Sequence, residues 1–185
     1  ADDSTLAGLN AQQQLIAGML TKANLLQILR TSSVFMDTDG GPRVKVVCRY
    51  QQFRAAGKIV ERLRTGETAL DRGGVVWHTQ GSGKSLTMVF LARMLRASRD
   101  LADYKIVLVN ERQDLEDQLG DTATLIGGRV NVIETRAGLR QHLSTDSSDI
   151  SMVMIHKFQE HKQTLTNTVA EALGTYLAMP AGKTF

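Results

Sequence analysis

The chain has 185 residues, 42% of them hydrophobic, with two prolines and one cysteine; it suits one domain with a real core, and it excludes an intrinsically disordered chain and an internal disulfide. Lys and Arg total 22 against 19 Asp and Glu, a formal net charge of +3, which permits nucleic-acid contact without demonstrating it. No apolar run approaches the roughly 18 residues of a membrane span. The polar opening ADDSTLAGLN has no basic-then-apolar leader, so a soluble cytoplasmic protein is expected, one that reads as a piece of something longer.

In chain order, residues 6–30 read as helix in two pieces, LAGLNAQQQLIAGML and ANLLQILR, without an internal breaker. DTDGGP at 37–42 is a turn by its chemistry, and a boundary is expected there. RVKVVCRY, 43–50, is short and β-rich. FRAAGKIVERLR carries Phe53, Ala56, Val60 and Leu63 on one helical face and ends near Gly66. GVVW, 74–77, reads as a buried strand. SLTMVFLARMLRA, 85–97, is a helix with Leu86, Val89, Phe90 and Met94 on one side. KIVLVN is a strand, RQDLEDQL a helix and RVNVIE a strand. Thr135 caps the helix RAGLRQHL; the strand ISMVMI and the helix VAEALGTYLA follow. Such alternation predicts an α/β fold with a mostly parallel sheet.

The chemistry concentrates in HTQGSGKS, 78–85. A triphosphate needs backbone N–H groups curled around it, a helix N-terminus, a lysine for the β and γ phosphates, and a hydroxyl for Mg²⁺. Gly81 and Gly83 allow the curl, Lys84 supplies the charge, and Ser85 supplies the hydroxyl and the one metal contact. Thr79, Gln80 and Ser82 complete the loop. The competing reading is a chance glycine turn, which the strand-to-helix setting argues against. His78 stands where such loops usually begin with glycine, and it reads as a packing or hydrogen-bonding residue rather than a catalyst.

VVWHTQGSGKSLTMVFLARML, 75–95, resembles motif I of the restriction (motor) subunit of type I restriction–modification enzymes, in which a histidine before TQGSGKS is usual. RYQQFRA, 49–55, resembles that family's adenine-contacting segment. IVLVNERQDLEDQL resembles its motif Ia, with Glu111 replacing an Asp. MIHKF, 154–158, resembles its T-x-x-KF, with Met154 replacing the Thr. The resemblance covers about residues 20–160. It implies a three-layer, RecA-like P-loop NTPase domain of a superfamily 2 translocase. Residues 1–44 would be a helical linker following a nuclease domain, and 45–185 the first motor domain. The implied cofactors are ATP and Mg²⁺. The implied partners are double-stranded DNA and the methylation and specificity subunits. The acidic Walker B pair and a nuclease triad are not found in this sequence, so the catalytic residues are unassigned.

The resemblance assigns Gln52 to the adenine edge, whereas the residues alone read it as a surface or capping glutamine. An amide both donates and accepts, as that edge requires; Tyr50 or Arg49 would flank the base. Arg112 and Lys157 follow strand ends and are candidates for DNA phosphate contact, with surface salt bridges as the equal alternative. His156 and His161 are wrongly spaced for zinc, and Cys48 reads as a small buried residue. The alternative function is a P-loop protein without a DNA motor, such as a small-molecule kinase or a regulatory module.

Overall fold

The computed structural model describes residues 7–37, 40–110, 125–126 and 130–154. The chain divides into two compact units, Ala1–Leu101 with Leu125–Gly127, and Ala102–Thr124 with Gly128–Phe185.

In the first unit, α1 spans Ala11–Met19 and α2 Lys22–Thr31. The first helix starts later than its leucine and alanine content suggested. Asn10 Oδ1 accepts from Gln13 N at 2.9 Å, and Gln13 Oε1 accepts in return from Asn10 N at 3.1 Å. This reciprocal cap satisfies two helix-end donors and ends the helix there. Thr21 caps α2. The strands β1, Ser33–Met36, and β2, Val44–Val47, pair antiparallel from Ser33↔Val47 to Met36↔Val44. The turn expected at 37–42 therefore joins two strands, the first of which the sequence did not reveal.

Tyr50–Thr65 forms α3 and ends at Gly66, as expected, with Phe53, Ala56 and Val60 buried. After the short α4, Ala69–Arg72, the helix α5 runs Lys84–Ala97 with Val89, Phe90 and Met94 buried. The helices α3 and α5 pack against each other, so the two periodic apolar stripes become the core of this unit. Arg93 on α5 ties down the end of α2 by donating to Thr31 O at 3.2 Å and Arg30 O at 3.4 Å, carbonyls that a helix terminus leaves without helical partners.

The expected buried strand at 74–77 is a correction. These residues have no regular secondary structure and pair with no described strand, and Val75 and Trp77 are 92% and 88% exposed. A strand is made by its ladder partners, and an apolar run before a glycine loop carries no information about them.

In the second unit, β3 (Ile106–Asn110), β4 (Val130–Ile133) and β5 (Ile150–Met154) form a parallel sheet in the order β3-β5-β4. The fold class is thus α/β with a parallel three-stranded sheet. β5 is central and buried throughout. The crossover from β4 to β5 contains α6, Arg136–Ser144, capped by Thr135 Oγ1, which accepts from Gly138 N at 3.1 Å. Leu139 and Leu143 of α6 pack with Ile133 and Val153, and with the half-buried Val107. The expected helices at 112–119 and 169–178 lie outside the described residues. Among the described residues no helix is long and apolar enough to cross a membrane.

Polar ties finish the α6 end. His142 Nε2 lies 2.5 Å from Ser151 Oγ on β5, and Lys105 Nζ donates to the carbonyls of His142 and Thr145. Burial first, and the Lys105 charge second, lower the His142 pKa below its usual 6.5, with Asp149 opposing. The unfolded chain therefore takes up this proton at higher pH than the folded one. The stabilisation is fully present above the unfolded value and declines as pH falls through it. Urea unfolding should show a midpoint that drops from about pH 7 to about pH 5, with a shallower pH slope in His142→Gln. An equal slope in that variant would assign the effect to another group.

Candidate nucleotide-binding site

The phosphate-loop candidate is set by two left-handed residues, Gly81 at φ 75° and Gly83 at φ 82°. Side chains other than glycine avoid this region. Between them Ser82 N and Oγ both donate to Thr79 O, at 3.3 and 2.7 Å, closing a tight turn. Gly83 is the N-cap of α5, and Lys84 is its first residue. Lys84 is exposed and Ser85 half-buried, so the charge and the hydroxyl both stand in the first turn. The positive end of the helix dipole and its uncommitted N–H groups gather there.

Gln52 meets this loop from thirty residues away. It sits in the first turn of α3, 4% exposed. Its Oε1 accepts from Arg49 N at 2.8 Å. Its Nε2 donates to Ser82 O at 3.3 Å and Gly83 O at 3.1 Å. The backbone fixes which end is which, since Arg49 N can only donate and the two carbonyls can only accept.

Beside the loop is a cavity of about 360 Å³, with Arg49, Gln52 and Ala55 on one side and His78, Thr79 and Ser82 among the residues on the other. Its size is at the lower end for small-molecule sites. Trp77 also lines it. The expected flanking residues separate: Arg49 lines the cavity, whereas the Tyr50 ring lies against Gly18, so closely that a Cβ there would be 2.3 Å from it. Ala55 closes the segment RYQQFRA that the sequence singles out, whereas sequence reasoning missed Trp77. Ala55 is three residues beyond Gln52 and so on its helical face, a signal available from spacing alone; for Trp77 the expectation of a buried strand hid it. His78 Nε2 is buried without a hydrogen-bond partner among the described residues; such an orphan costs about 1–3 kcal/mol.

The structure thus brings together Gln52, Thr79, Ser82 and Gly83, with Gln80, Gly81, Lys84 and Ser85 contiguous in the same loop and helix start. Arg112 and Lys157 lie outside the described residues, as do Glu111, His156 and His161.

Residues 51–176 match the SWI2/SNF2 ATPase family. The endonuclease subunit of the type I restriction enzyme HindI from Haemophilus influenzae is 34% identical over 79% of this chain and 14% of its own length. A Methanocaldococcus jannaschii protein named for the type I restriction enzyme MjaIXP endonuclease subunit is 30% identical over 83% of this chain and 15% of its own. A Staphylococcus aureus counterpart, the SauCOLORF180P endonuclease subunit, is 27% identical over 60% of this chain and 11% of its own. The chain spans about a seventh of the length of the first two.

The two loop glycines should respond differently to alanine. At Gly81 a Cβ meets nothing within 4 Å, so the cost is the backbone conformation alone; at Gly83 it also lies 2.7 Å from Gln52 Nε2. Gly81→Ala should cost about 1–2 kcal/mol and Gly83→Ala clearly more, read as the drop in thermal unfolding midpoint. Equal losses would mean that Gln52 yields freely.

Proposed function

The chain belongs to the SWI2/SNF2 ATPase family, and we propose that it is the ATP-binding part of the DNA-translocating motor subunit of a type I restriction endonuclease. The observation that carries this reading is the loop itself: two left-handed glycines lead into Lys84 and Ser85 at a helix N-terminus, beside a cavity of nucleoside size. The residues fit Mg²⁺·ATP. The loop N–H groups and the end of α5 would hold the phosphates, Lys84 the β and γ phosphates, and the Ser85 hydroxyl the metal. Thr79, Gln80, Gly81, Ser82 and Gly83 form the cradle, and Gln52 lies at the edge of the base cavity, where it would read adenine. Bound ATP would supply the free energy for movement along DNA.

In this reading residues 45–185 belong to the first RecA-like motor domain, three-layered in the complete protein, and residues 1–44 to a helical linker after a nuclease domain. Arg112 and Lys157 would contact DNA phosphates, which position a protein without reading sequence. Double-stranded DNA and the methylation and specificity subunits are the partners, and the protein would act in the cytoplasm. The carboxylates of hydrolysis and DNA cutting are assigned to no residue here.

Two measurements test this. Lys84→Ala should weaken ATP binding by about 2–4 kcal/mol, the cost of truncating one side of a charged contact; unchanged affinity would remove the site. Duplex DNA should stimulate ATP turnover by the intact protein. A nucleotide-binding protein without a DNA motor, the kinase or regulatory alternative, would turn over ATP equally with and without DNA.

For the base, Gln52→Ala should erase a preference for ATP over GTP of about 1–3 kcal/mol. Competition binding reads it directly, and a variant that keeps the preference would exclude Gln52 from the adenine edge.

A further inference from the structure

We propose that Gln52 is also a positioning residue for the phosphates: its amide holds the loop backbone in its anion-accepting orientation. The proposal rests on the reading of the loop as an ATP site, and it adds a function for Gln52 that contact with the base does not require.

The argument starts from the peptide plane. In a trans peptide the C=O and the following N–H point in opposite directions. Ser82 O and the N–H of Gly83 share one plane; Gly83 O and the N–H of Lys84 share the next. Gln52 Nε2 draws both carbonyls towards α3, at 3.3 and 3.1 Å. The N–H groups of Gly83 and Lys84 must then point away from Gln52. Gly83 O is also held by Thr87 N at 3.1 Å, the first helical bond of α5, and by Thr87 Oγ1 at 3.3 Å. Among the described residues no backbone N–H donates to Ser82 O, so the Gln52 bond is the tie that orients the plane entering the helix.

Gln52 is itself anchored. It is 4% exposed, and its Oε1 is held by Arg49 N at 2.8 Å. Both Nε2 hydrogens are used on the loop and one Oε1 lone pair on Arg49, which leaves one lone pair. An adenine amino group can donate to that lone pair while both loop bonds persist. A guanine carbonyl at the same place would meet oxygen with oxygen. Base selection through Oε1 and loop positioning through Nε2 are therefore compatible, and a base contact through Nε2 would instead release the loop.

The test removes the base from the ligand. Inorganic tripolyphosphate with Mg²⁺ is titrated into the intact protein, into Gln52→Met, which keeps the shape without hydrogen bonds, and into Gln52→Glu, which keeps the acceptor and loses both donors. Both variants should bind tripolyphosphate about ten-fold more weakly, the order expected for two hydrogen bonds, with unchanged far-UV circular dichroism. Gln52→Glu should keep the ATP-over-GTP preference that Gln52→Met loses. Tripolyphosphate affinity in Gln52→Met equal to that of the unsubstituted protein would overturn the proposal and leave Gln52 a base contact alone. If Gln52→Met does not fold, solvent exchange of the Gln52 side-chain amide protons in the unsubstituted protein decides: slow exchange with and without tripolyphosphate is expected, and fast exchange overturns the clasp. Failure of the nucleotide reading is separate and visible, since Lys84→Ala would then bind tripolyphosphate as well as the unsubstituted protein does.

Discussion

The carbonyls of Ser82 and Gly83 accept from one amide, and the geometry of the site follows from the direction this imposes on two peptide planes. Gly83 can accept that direction because its φ of 82° is open to glycine. The helix α5 can begin at the next residue because the same carbonyl accepts its first helical bond. Lys84 and Ser85 then stand in the first turn, where helix N–H groups have no helical partner. The clasp is only as firm as the distance between α3 and α5, and that distance is held by packing: Phe53, Ala56 and Val60 are buried on one helix and Val89, Phe90, Ala92 and Met94 on the other. Close-packed interiors transmit small shifts rather than absorbing them, so the apolar stripes support the proposed phosphate site although none of them faces it.

What could be read from the sequence was what the chain encodes locally. Glycines at 81 and 83 followed by Lys-Ser specify a curl and a helix start within five residues. The spacing of Phe53, Ala56 and Val60 specifies a face. Thr135 before a helical pattern specifies a cap. What escaped was non-local. Nothing in RYQQFRA says that the amide of Gln52 reaches carbonyls thirty residues on. GVVW has the composition of a buried strand, but burial needs partners, and Val75 and Trp77 find none among the described residues. Ser33–Met36 was hidden because four residues are too few to display alternation. Asn10 was passed over because the helical content around it outweighed the cap that its side chain forms.

The second unit follows a different logic. Its parallel strands are fully committed at the centre, with β5 buried along its whole length, so the polar groups brought against it must be paired or costly. Ser151 on β5 is fully buried and meets His142 on α6, while Lys105 closes the carbonyl end of that helix. Cations at a helix C-terminus also oppose its partial negative charge. A Ser–His pair here is therefore a packing device. Ser151 has no solvent-exposed surface, so a substrate could not reach its hydroxyl.

The cavity beside the loop has two unlike sides, and this bears on how a base would be distinguished. Arg49, Gln52 and Ala55 belong to the start of a sixteen-residue helix packed on another. Trp77, His78 and Thr79 belong to an irregular stretch that joins no ladder among the described residues. Discrimination between two purines depends on placing a donor or acceptor to within a few tenths of an ångström, because hydrogen bonds weaken steeply with distance and angle. On the helical side Gln52 is tied at three points; on the other, the Thr79 carbonyl accepts from Ser82 N and Oγ, while His78 Nε2 is buried with no partner among the described residues. In the proposed reading, the group that would choose the base is therefore the same group that would aim the phosphate loop.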